Sequence, residues 1–467
     1  MDAEYRYQPL PPIPEYERSP PYTRLIWLAP GSGEDPLSAH LELINVEAAP
    51  RPYEALSYTW GTDPPCNYLW LQGYPLPIRP NLEAALMALR LPNLVRLLWI
   101  DAICIDQSNL DERARQVQYM RLVYKHAARV IVWVGLKTPG IEHAFEIAQR
   151  LMRLHEAGEE QARLGNSIEA SSNELWGVFM DDMPRESMQR LYDLWHRPYF
   201  TRCWCIQEVA ACSSALLKCE ELEMAFQDLA GSIFAVSQWL PKLQQNTTLF
   251  LWWKIYDAHK KNSSMGPANV EGSLGNLLSI MDMTRPFQAT DPRDKIFAMQ
   301  GISDEGLNPI LATTQVMGRE TWFLRGVRRG FTRLAEGLNS LGPELDFGRP
   351  QALKPDYRKP VVDVYIDVTR FMIRKSPRVL DVLTHVMHTT NPEEGEYPSW
   401  VPKWFEPKTN QLMQGYFLAG FCKGHFRYFA EVHDNSVRSP AQFPRILSID
   451  GFGVDTVHTI KIGRAHV

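Results

Sequence analysis

Residues 97–105 read LLWIDAICI, an apolar run that a single aspartate, Asp101, interrupts. A strand buried on both faces of a parallel sheet has this composition, and we expect Asp101 near its carboxyl end. The next apolar run, VIVWVG at residues 130–135, ends in a glycine. Strand, helix and strand within about forty residues form a βαβ unit with an expected right-handed connection. These residues therefore predict an α/β domain with a mainly parallel sheet.

A helix is predicted between the two apolar runs. Val117, Met120, Tyr124 and Ala127 recur at helical spacing within residues 111–130 and form one apolar stripe. The polar side chains of this segment fall outside the stripe, so one face of the helix is expected to pack on the sheet.

The whole chain divides by composition into three segments and a short C-terminal string. Residues 1–50 read as a Pro-rich lead and a short β unit, with strands predicted over 23–31 and 37–46. Residues 51–212 form the α/β domain, which includes a β-prone run at 53–61, a helix at 82–90 and a polar insertion at about 156–186. Residues 213–461 are predicted to be mostly helical, with helices over 222–240, 274–283 and 361–375.

The chain ends in IGRAHV at residues 462–467, a string that a common sequencing adapter gives when it is translated in one frame. We interpret it as a scar and exclude it from fold reasoning, and we expect the natural C-terminus to be missing.

Composition excludes several classes of protein. The 467 residues are 45% hydrophobic and carry a net charge of −5, which argues against a general nucleic-acid binder. The sequence contains no run of about 18 apolar residues, so we expect no membrane span. The N-terminus has no apolar signal region, so the seven cysteines are expected to be reduced in a cytoplasmic protein.

The cysteines are candidates for zinc binding and for nucleophilic catalysis, but the sequence favours buried core thiols over both interpretations. Cys203, Cys205, Cys212 and Cys219 lack the paired spacing of structural zinc, so no metal site is predicted. Cys104 follows the strand that Asp101 ends, where α/β active sites collect, but no histidine lies near it in the sequence to activate it.

Polar residues after this strand also have two readings. Asp101, Asp106 and Gln107 either cap the helix that starts near Asp111 or line the carboxyl edge of the sheet.

The stretch RCWCIQEVA at residues 202–210 contains one carboxylate, Glu208. On a helix over 201–211, Trp204 and Glu208 share a face. Glu208 is expected at the rim of the apolar face of this helix, in a half-buried position. Glu208 is then a solvated group, an ion-pair partner of Arg197 or Arg202, or a pocket carboxylate beside an aromatic ring.

Three blocks together closely resemble the signatures of the fungal heterokaryon-incompatibility (HET) domain. They are YEALSYTWG at 53–61, LWIDAICIDQ at 98–107 with the helix and strand that follow it, and RPYFTRCWCIQEV at 197–209. The segments DPRDKIFAMQGI and DYRKPVVDVY resemble stretches that often follow this domain. The resemblance implies a role in non-self recognition between fused fungal cells that ends in programmed cell death.

HET domains are distantly similar to TIR domains, which are flavodoxin-like α/β folds. LSYTWG resembles the first strand and loop of plant TIR domains, and WCIQEV resembles their WCLxEL helix. The catalytic glutamate of NAD cleavage in that motif falls on Glu208. The resemblance therefore implies NAD as a substrate rather than a bound cofactor.

Four further residues are candidates for substrate binding in this reading. Trp60 and Trp204 are candidates for stacking on a ring, and Tyr58 and Asp101 for lining the same crevice.

Three functions remain open at this point. In the first, the HET domain is assembled by an unidentified protein trigger into a homo-oligomer and cleaves NAD. In the second, it is an adaptor without catalysis and acts through self-association. The third and weakest is a cysteine-dependent hydrolase that uses Cys104. The C-terminal region is expected to sense a partner or restrain the domain.

Overall fold

The structure is a computed structural model, and it describes residues 5–11, 22–49, 51–163, 185–239, 277–303, 353–375, 382, 385–386, 397 and 401–406. The chain divides into two compact units. The first unit comprises Met1–Leu274 and Met283–Ile302, and the second comprises Gly275–Asp282 and Ser303–Val467. Most of the predicted polar insertion and the whole C-terminal scar lie outside the described residues.

Within the described residues, nine strands form one sheet in the order β5-β4-β2-β1-β6-β3-β7-β8-β9. Their bounds are β1 Tyr22–Leu28, β2 Ser38–Asn45, β3 Glu54–Ser57, β4 Asn67–Leu71, β5 Tyr74–Ile78, β6 Arg96–Trp99, β7 Arg129–Trp133, β8 Ala215–Cys219 and β9 Leu222–Ala225.

The centre of the sheet is parallel, as predicted. Strand β3 pairs in parallel with β6 and with β7, and β7 pairs in parallel with β8. In chain order these four strands take the spatial order 2-1-3-4, which is the beginning of the flavodoxin-like order. Ligands of such sheets bind outside the carboxyl ends of the strands, at the point where the strand order reverses. Here that point is between β3 and β7.

Strand β6 is shorter than the sequence predicted. It ends at Trp99, and Asp101–Cys104 form a short helix, so LLWIDAICI is half strand and half helical turn. Asp101 therefore follows the carboxyl end of the strand, and its carboxylate accepts a hydrogen bond from the backbone N–H of Ala102 at 2.7 Å.

The two N-terminal strands belong to the same sheet rather than to a separate unit. Strand β1 is antiparallel to both β2 and β6, so it joins the outer strands to the parallel centre.

The hairpin of β4 and β5 was not predicted. Gln72 and Gly73 both have positive φ, 53° and 86°, which is the backbone of a two-residue hairpin turn. Pro75 and Pro77 in β5 argue against a central strand in the sequence, but β5 is an edge strand, where a missing N–H costs no ladder bond.

The described helices have the following bounds: α1 Pro80–Leu89, α2 Asp101–Cys104, α3 Leu110–His126, α4 Ile141–Arg163, α5 Arg185–Trp195, α6 Cys203–Ala210, α7 Phe226–Trp239, α8 Leu277–Thr284, α9 Asp294–Gln300 and α10 Val361–Lys375. None of them is both long and apolar enough to cross a membrane.

Helix α6 is enclosed on all sides. Every one of its eight residues is buried. It packs against β3, β7 and α3, and also against α9, which lies much later in the chain. A Cβ atom at Gly301, just after α9, would overlap the amide end of the Gln207 side chain, so this buried side chain would have to move to admit a larger residue.

The C-terminal region is largely helical in its described parts, but it begins with two strands. Residues 222–225, predicted to start a helix, form β9 and pair with β8. Leu, Glu, Met and Ala are good helix formers, and pairing with a neighbouring strand overrides that propensity here. The sheet therefore continues beyond residue 212.

A buried ion pair connects β1 to α3. Arg24 donates from Nη1 to Oε1 of Glu112 at 2.6 Å and from Nη2 to Oε2 at 3.0 Å. The backbone N–H of Asp106 donates to the same carboxylate at 2.8 Å. Both charged side chains are buried, so each depends on the other for compensation of its charge.

We expect Glu112→Gln to lower the free energy of unfolding by about 3 kcal/mol, because it leaves the Arg24 guanidinium buried without a countercharge. Urea denaturation followed by circular dichroism measures this loss. Asp111→Asn, on the exposed side of the same helical turn, is the matched control and should cost less than about 1 kcal/mol. An equal loss of unfolding free energy in the two variants would contradict a stabilising ion pair between Arg24 and Glu112.

Candidate functional site

A cavity of about 570 Å³ opens at the carboxyl ends of β3 and β6. Its size is within the range of pockets that bind small molecules. Three parts of the chain line it: residues after β3 and β6, the β5–α1 connection, and the N-terminal segment. The lining residues are Tyr5, Arg6, Tyr7, Tyr58, Trp60, Pro65, Leu76, Pro77, Ile78, Arg79, Leu82, Ala102, Asp106, Gln107 and Ser108.

The structure brings three of the predicted binding residues together at this edge. Tyr58 and Trp60 line the cavity, and the indole N–H of Trp60 donates to Oδ2 of Asp101 at 3.1 Å. The guanidinium of Arg202 lies 5.5 Å from the centre of the Trp60 ring and donates to the carbonyl of Tyr58 at 3.4 Å. Burial raises the pKa of Asp101, and the positive charge of Arg202 opposes that rise.

Asp106 and Gln107 also belong to this edge. Helix α3 is capped by Asn109, whose side chain accepts from the N–H groups of Asp111 and Glu112. Asp106 and Gln107 line the cavity instead, so the lining interpretation of these two residues is correct.

Glu208 lies behind this edge rather than in the cavity. It is 3% exposed, so the expectation of a half-exposed position on the helix rim is wrong. The hydroxyl of Ser57 donates to Oε2 of Glu208 at 2.5 Å and is 2.7 Å from the hydroxyl of Tyr199. The rim position was inferred from α6 alone, whereas in the fold Ser57 at the end of β3 and Tyr199 lie beside Glu208 and help to enclose it.

The environment of Glu208 favours its neutral form. Burial raises its pKa to about 8, and the negative charge of Asp101 adds to the rise. The hydrogen bond from Ser57 and the charge of Arg202 oppose it. At neutral pH the side chain is therefore mostly a neutral carboxylic acid.

Trp204 is also separated from the cavity. It is 7% exposed and does not line the cavity. Arg197 donates to the carbonyls of Val134 and Leu136 at 2.8 Å each and to Thr138, so it is used in loop anchoring and is not the ion-pair partner of Glu208.

The described cysteines of the sequence analysis are buried thiols. Cys104, Cys203, Cys205, Cys212 and Cys219 are all buried, and none of them forms a disulfide with another described cysteine. Among the described residues, no group of three or more His, Cys, Asp or Glu side chains is placed to hold a metal ion. Burial raises the pKa of Cys104 to about 12, which disfavours the thiolate that a nucleophile requires.

Some lining residues were not singled out from the sequence. Arg79 belongs to the connection before α1, and Tyr5, Arg6 and Tyr7 reach the cavity from the N-terminus. The hydroxyl of Tyr7 donates to the carbonyl of Ile103 at 2.9 Å, which attaches the segment beside α2. No local pattern in the sequence indicates this long-range contact.

Comparison with known families identifies the domain to which this edge belongs. The family model described as "Heterokaryon incompatibility protein (HET)" matches residues 53–208, from the residue before β3 to Glu208 in α6. Residues 53–208 are therefore similar to the HET domain, as the sequence blocks predicted.

A curated relative supports this assignment. The chain is 28% identical over 206 residues to "Heterokaryon incompatibility protein 6, OR allele" of Neurospora crassa. The match covers 36% of this chain and 29% of the relative, so it spans less than a third of the relative's length. No solved structure matches the chain significantly.

The pKa of Glu208 makes stability depend on pH. A carboxyl group whose pKa is raised on folding stabilises the folded state at low pH, and this contribution is lost as the pH rises from 4.5 to about 8. Glu208→Gln is neutral at every pH, so wild type should lose stability relative to this variant over that window, by on the order of 2 kcal/mol or more.

Thermal unfolding of both proteins at several pH values measures the difference. Glu47→Gln, at an exposed glutamate, is the control and should follow wild type. A Glu208→Gln curve parallel to wild type would contradict a neutral, buried Glu208.

We expect N-ethylmaleimide to modify Cys66 in the native protein at neutral pH and to leave Cys104 unmodified. Cys66 is exposed, whereas Cys104 is buried and its pKa is raised to about 12. Peptide mass spectrometry before and after denaturation measures the two sites. Rapid labelling of Cys104 in the native state would restore it as a candidate nucleophile.

Proposed function

We propose that this chain acts in heterokaryon incompatibility as a cytoplasmic effector, and that its HET domain triggers death of the mixed cell compartment. The observation that carries the proposal is the match of residues 53–208 to the HET family. The first and last blocks of that match meet in the fold, because Ser57 at the end of β3 donates to Glu208 in α6. The similarity to Heterokaryon incompatibility protein 6 supports the same role.

The enzymatic form of this proposal is cleavage of NAD. Water replaces nicotinamide at the ribose carbon, and an oxocarbenium-like transition state develops positive charge that an ionised carboxylate stabilises. Glu208 is the proposed carboxylate. Tyr58, Trp60 and Asp101 are the proposed binding residues at the strand ends, and Trp204 is proposed to stack on a substrate ring once α6 is uncovered.

This chemistry requires a change at α6. Glu208 is 3% exposed and its pKa is raised to about 8, so in the described state it is neither accessible nor mainly ionised. We propose that an unidentified protein trigger assembles the HET domain into a homo-oligomer and uncovers Glu208. Helix α9 packs against α6, where the thiol of Cys203 faces the carbonyl of Asp294, and its displacement, which frees α6 to move away from β3, is the proposed route.

The rival function is a signalling adaptor without catalysis. The burial of Glu208 favours it, because a carboxylic acid bonded to Ser57 and enclosed by helices has a sufficient structural role. In this function the HET domain acts through self-association, and the chemistry of Glu208 is irrelevant to killing.

NAD loss by the full chain, fused to an oligomerising tag, tests the enzymatic form. We expect turnover by the wild type and a loss of about 100-fold or more in Glu208→Gln, because one stabilising group for the transition-state charge is removed. The full chain is needed because a fragment ending near residue 212 lacks β8, β9 and α9.

Glu47→Gln is the charge-matched control and should retain turnover, and circular dichroism verifies folding of each variant. Cell killing in a fungal host is measured with the same proteins. Killing retained by Glu208→Gln, with no NAD loss in any assembled form, would overturn the enzymatic form and support the adaptor.

A further inference from the structure

We infer that the cavity at the carboxyl ends of β3 and β6 is a binding site for a nucleoside phosphate, and that binding does not require Glu208. The inference shares Tyr58 and Trp60 with the proposed function but does not rest on NAD cleavage. A ligand of this class combines a planar ring, a sugar with hydroxyl groups and an anionic phosphate, and the cavity wall offers a group for each.

Aromatic side chains offer the surface for the ring. Tyr5, Tyr7, Tyr58 and Trp60 all line a cavity of about 570 Å³. The Trp60 indole is held in place by its hydrogen bond to Asp101. Stacking of a base on such side chains contributes about 1–3 kcal/mol.

Two guanidinium groups offer the positive charge for the phosphate. Arg6 and Arg79 line the cavity, and neither belongs to an ion pair within the described part of the chain. Arg79 donates to the carbonyls of Gly61 and Asp63, which positions its guanidinium beside the loop after β3. A guanidinium group can donate two parallel N–H hydrogen bonds to two oxygens of one phosphate.

Polar groups after β6 are suited to the sugar. Asp106 accepts both the backbone N–H and the hydroxyl of Ser108 at its Oδ1 atom, at 3.0 and 2.6 Å. Its Oδ2 atom lies on the same carboxylate and is suited to accept from a sugar hydroxyl, as acidic residues do in nucleotide-binding α/β folds.

The position of the cavity in the fold supports the same conclusion. It lies at the carboxyl ends of β3 and β6, beside the point between β3 and β7 where the strand order reverses and open α/β sheets bind their ligands. Glu208 does not line it, so a ligand in this cavity is recognised without contact to that side chain.

Isothermal titration of the full chain with AMP tests the inference, since AMP contains no nicotinamide–ribose bond to cleave. We expect saturable binding with a Kd below about 1 mM. Adenosine, which lacks the phosphate, and inorganic phosphate, which lacks the ring, should each bind at least about tenfold more weakly.

Four substitutions locate the site, with two matched pairs. Arg6→Gln and Trp60→Leu should weaken AMP binding by about fivefold or more, since each removes one contact of the ligand. Lys125→Gln, an exposed cation at the far end of α3, and Trp70→Leu, an exposed tryptophan outside the cavity, should leave it within about twofold. Arg6 is exposed and forms no ion pair with another described residue, so Arg6→Gln keeps the test valid if Trp60→Leu unfolds.

Glu208→Gln separates this inference from the enzymatic proposal. AMP binding retained in Glu208→Gln, whether or not NAD is consumed, supports a site independent of that residue. Absence of saturable AMP binding, or binding that is unchanged in Arg6→Gln and Trp60→Leu, overturns the inference and leaves the NAD assay to decide the proposed function alone.

Discussion

The burial of helix α6 is the constraint on which the rest of the domain depends. A helix with all eight residues buried needs apolar cover on every side. The sheet supplies one side, α3 supplies another, and α9 supplies a third from residues almost one hundred positions further along the chain. A segment beyond the family match at 53–208 is therefore part of the same packed unit.

This packing determines the chemistry of Glu208. A carboxylate that loses its water must be compensated or must bind a proton. For Glu208, the hydrogen bond from Ser57 and the charge of Arg202 offset only part of the effect of burial and of the negative charge of Asp101. Glu208 therefore binds a proton at neutral pH. Any function that needs an ionised Glu208 is therefore coupled to the opening of the helices around it, and a function without catalysis is not.

The edge of the sheet has a different character from the helix behind it. Ser57 is the last residue of β3 and Tyr58 follows it, and consecutive side chains along an extended chain point to opposite sides. Ser57 bonds to the buried glutamate, whereas Tyr58 lines the cavity. One strand end thus serves both a closed polar cluster and an open site, which is why residues that are close in the family blocks have separate environments.

Local patterns by themselves determined the parallel centre of the sheet, helix α3 and the family. Apolar runs such as VIVW and a stripe such as Val117, Met120 and Tyr124 report burial directly, because their periodicity depends only on the element itself. The pairing of β8 with β9, the edge position that permits Pro75, and the enclosure of Glu208 depend on which elements become neighbours. Those neighbours are distant in the chain, so only the tertiary structure decided them.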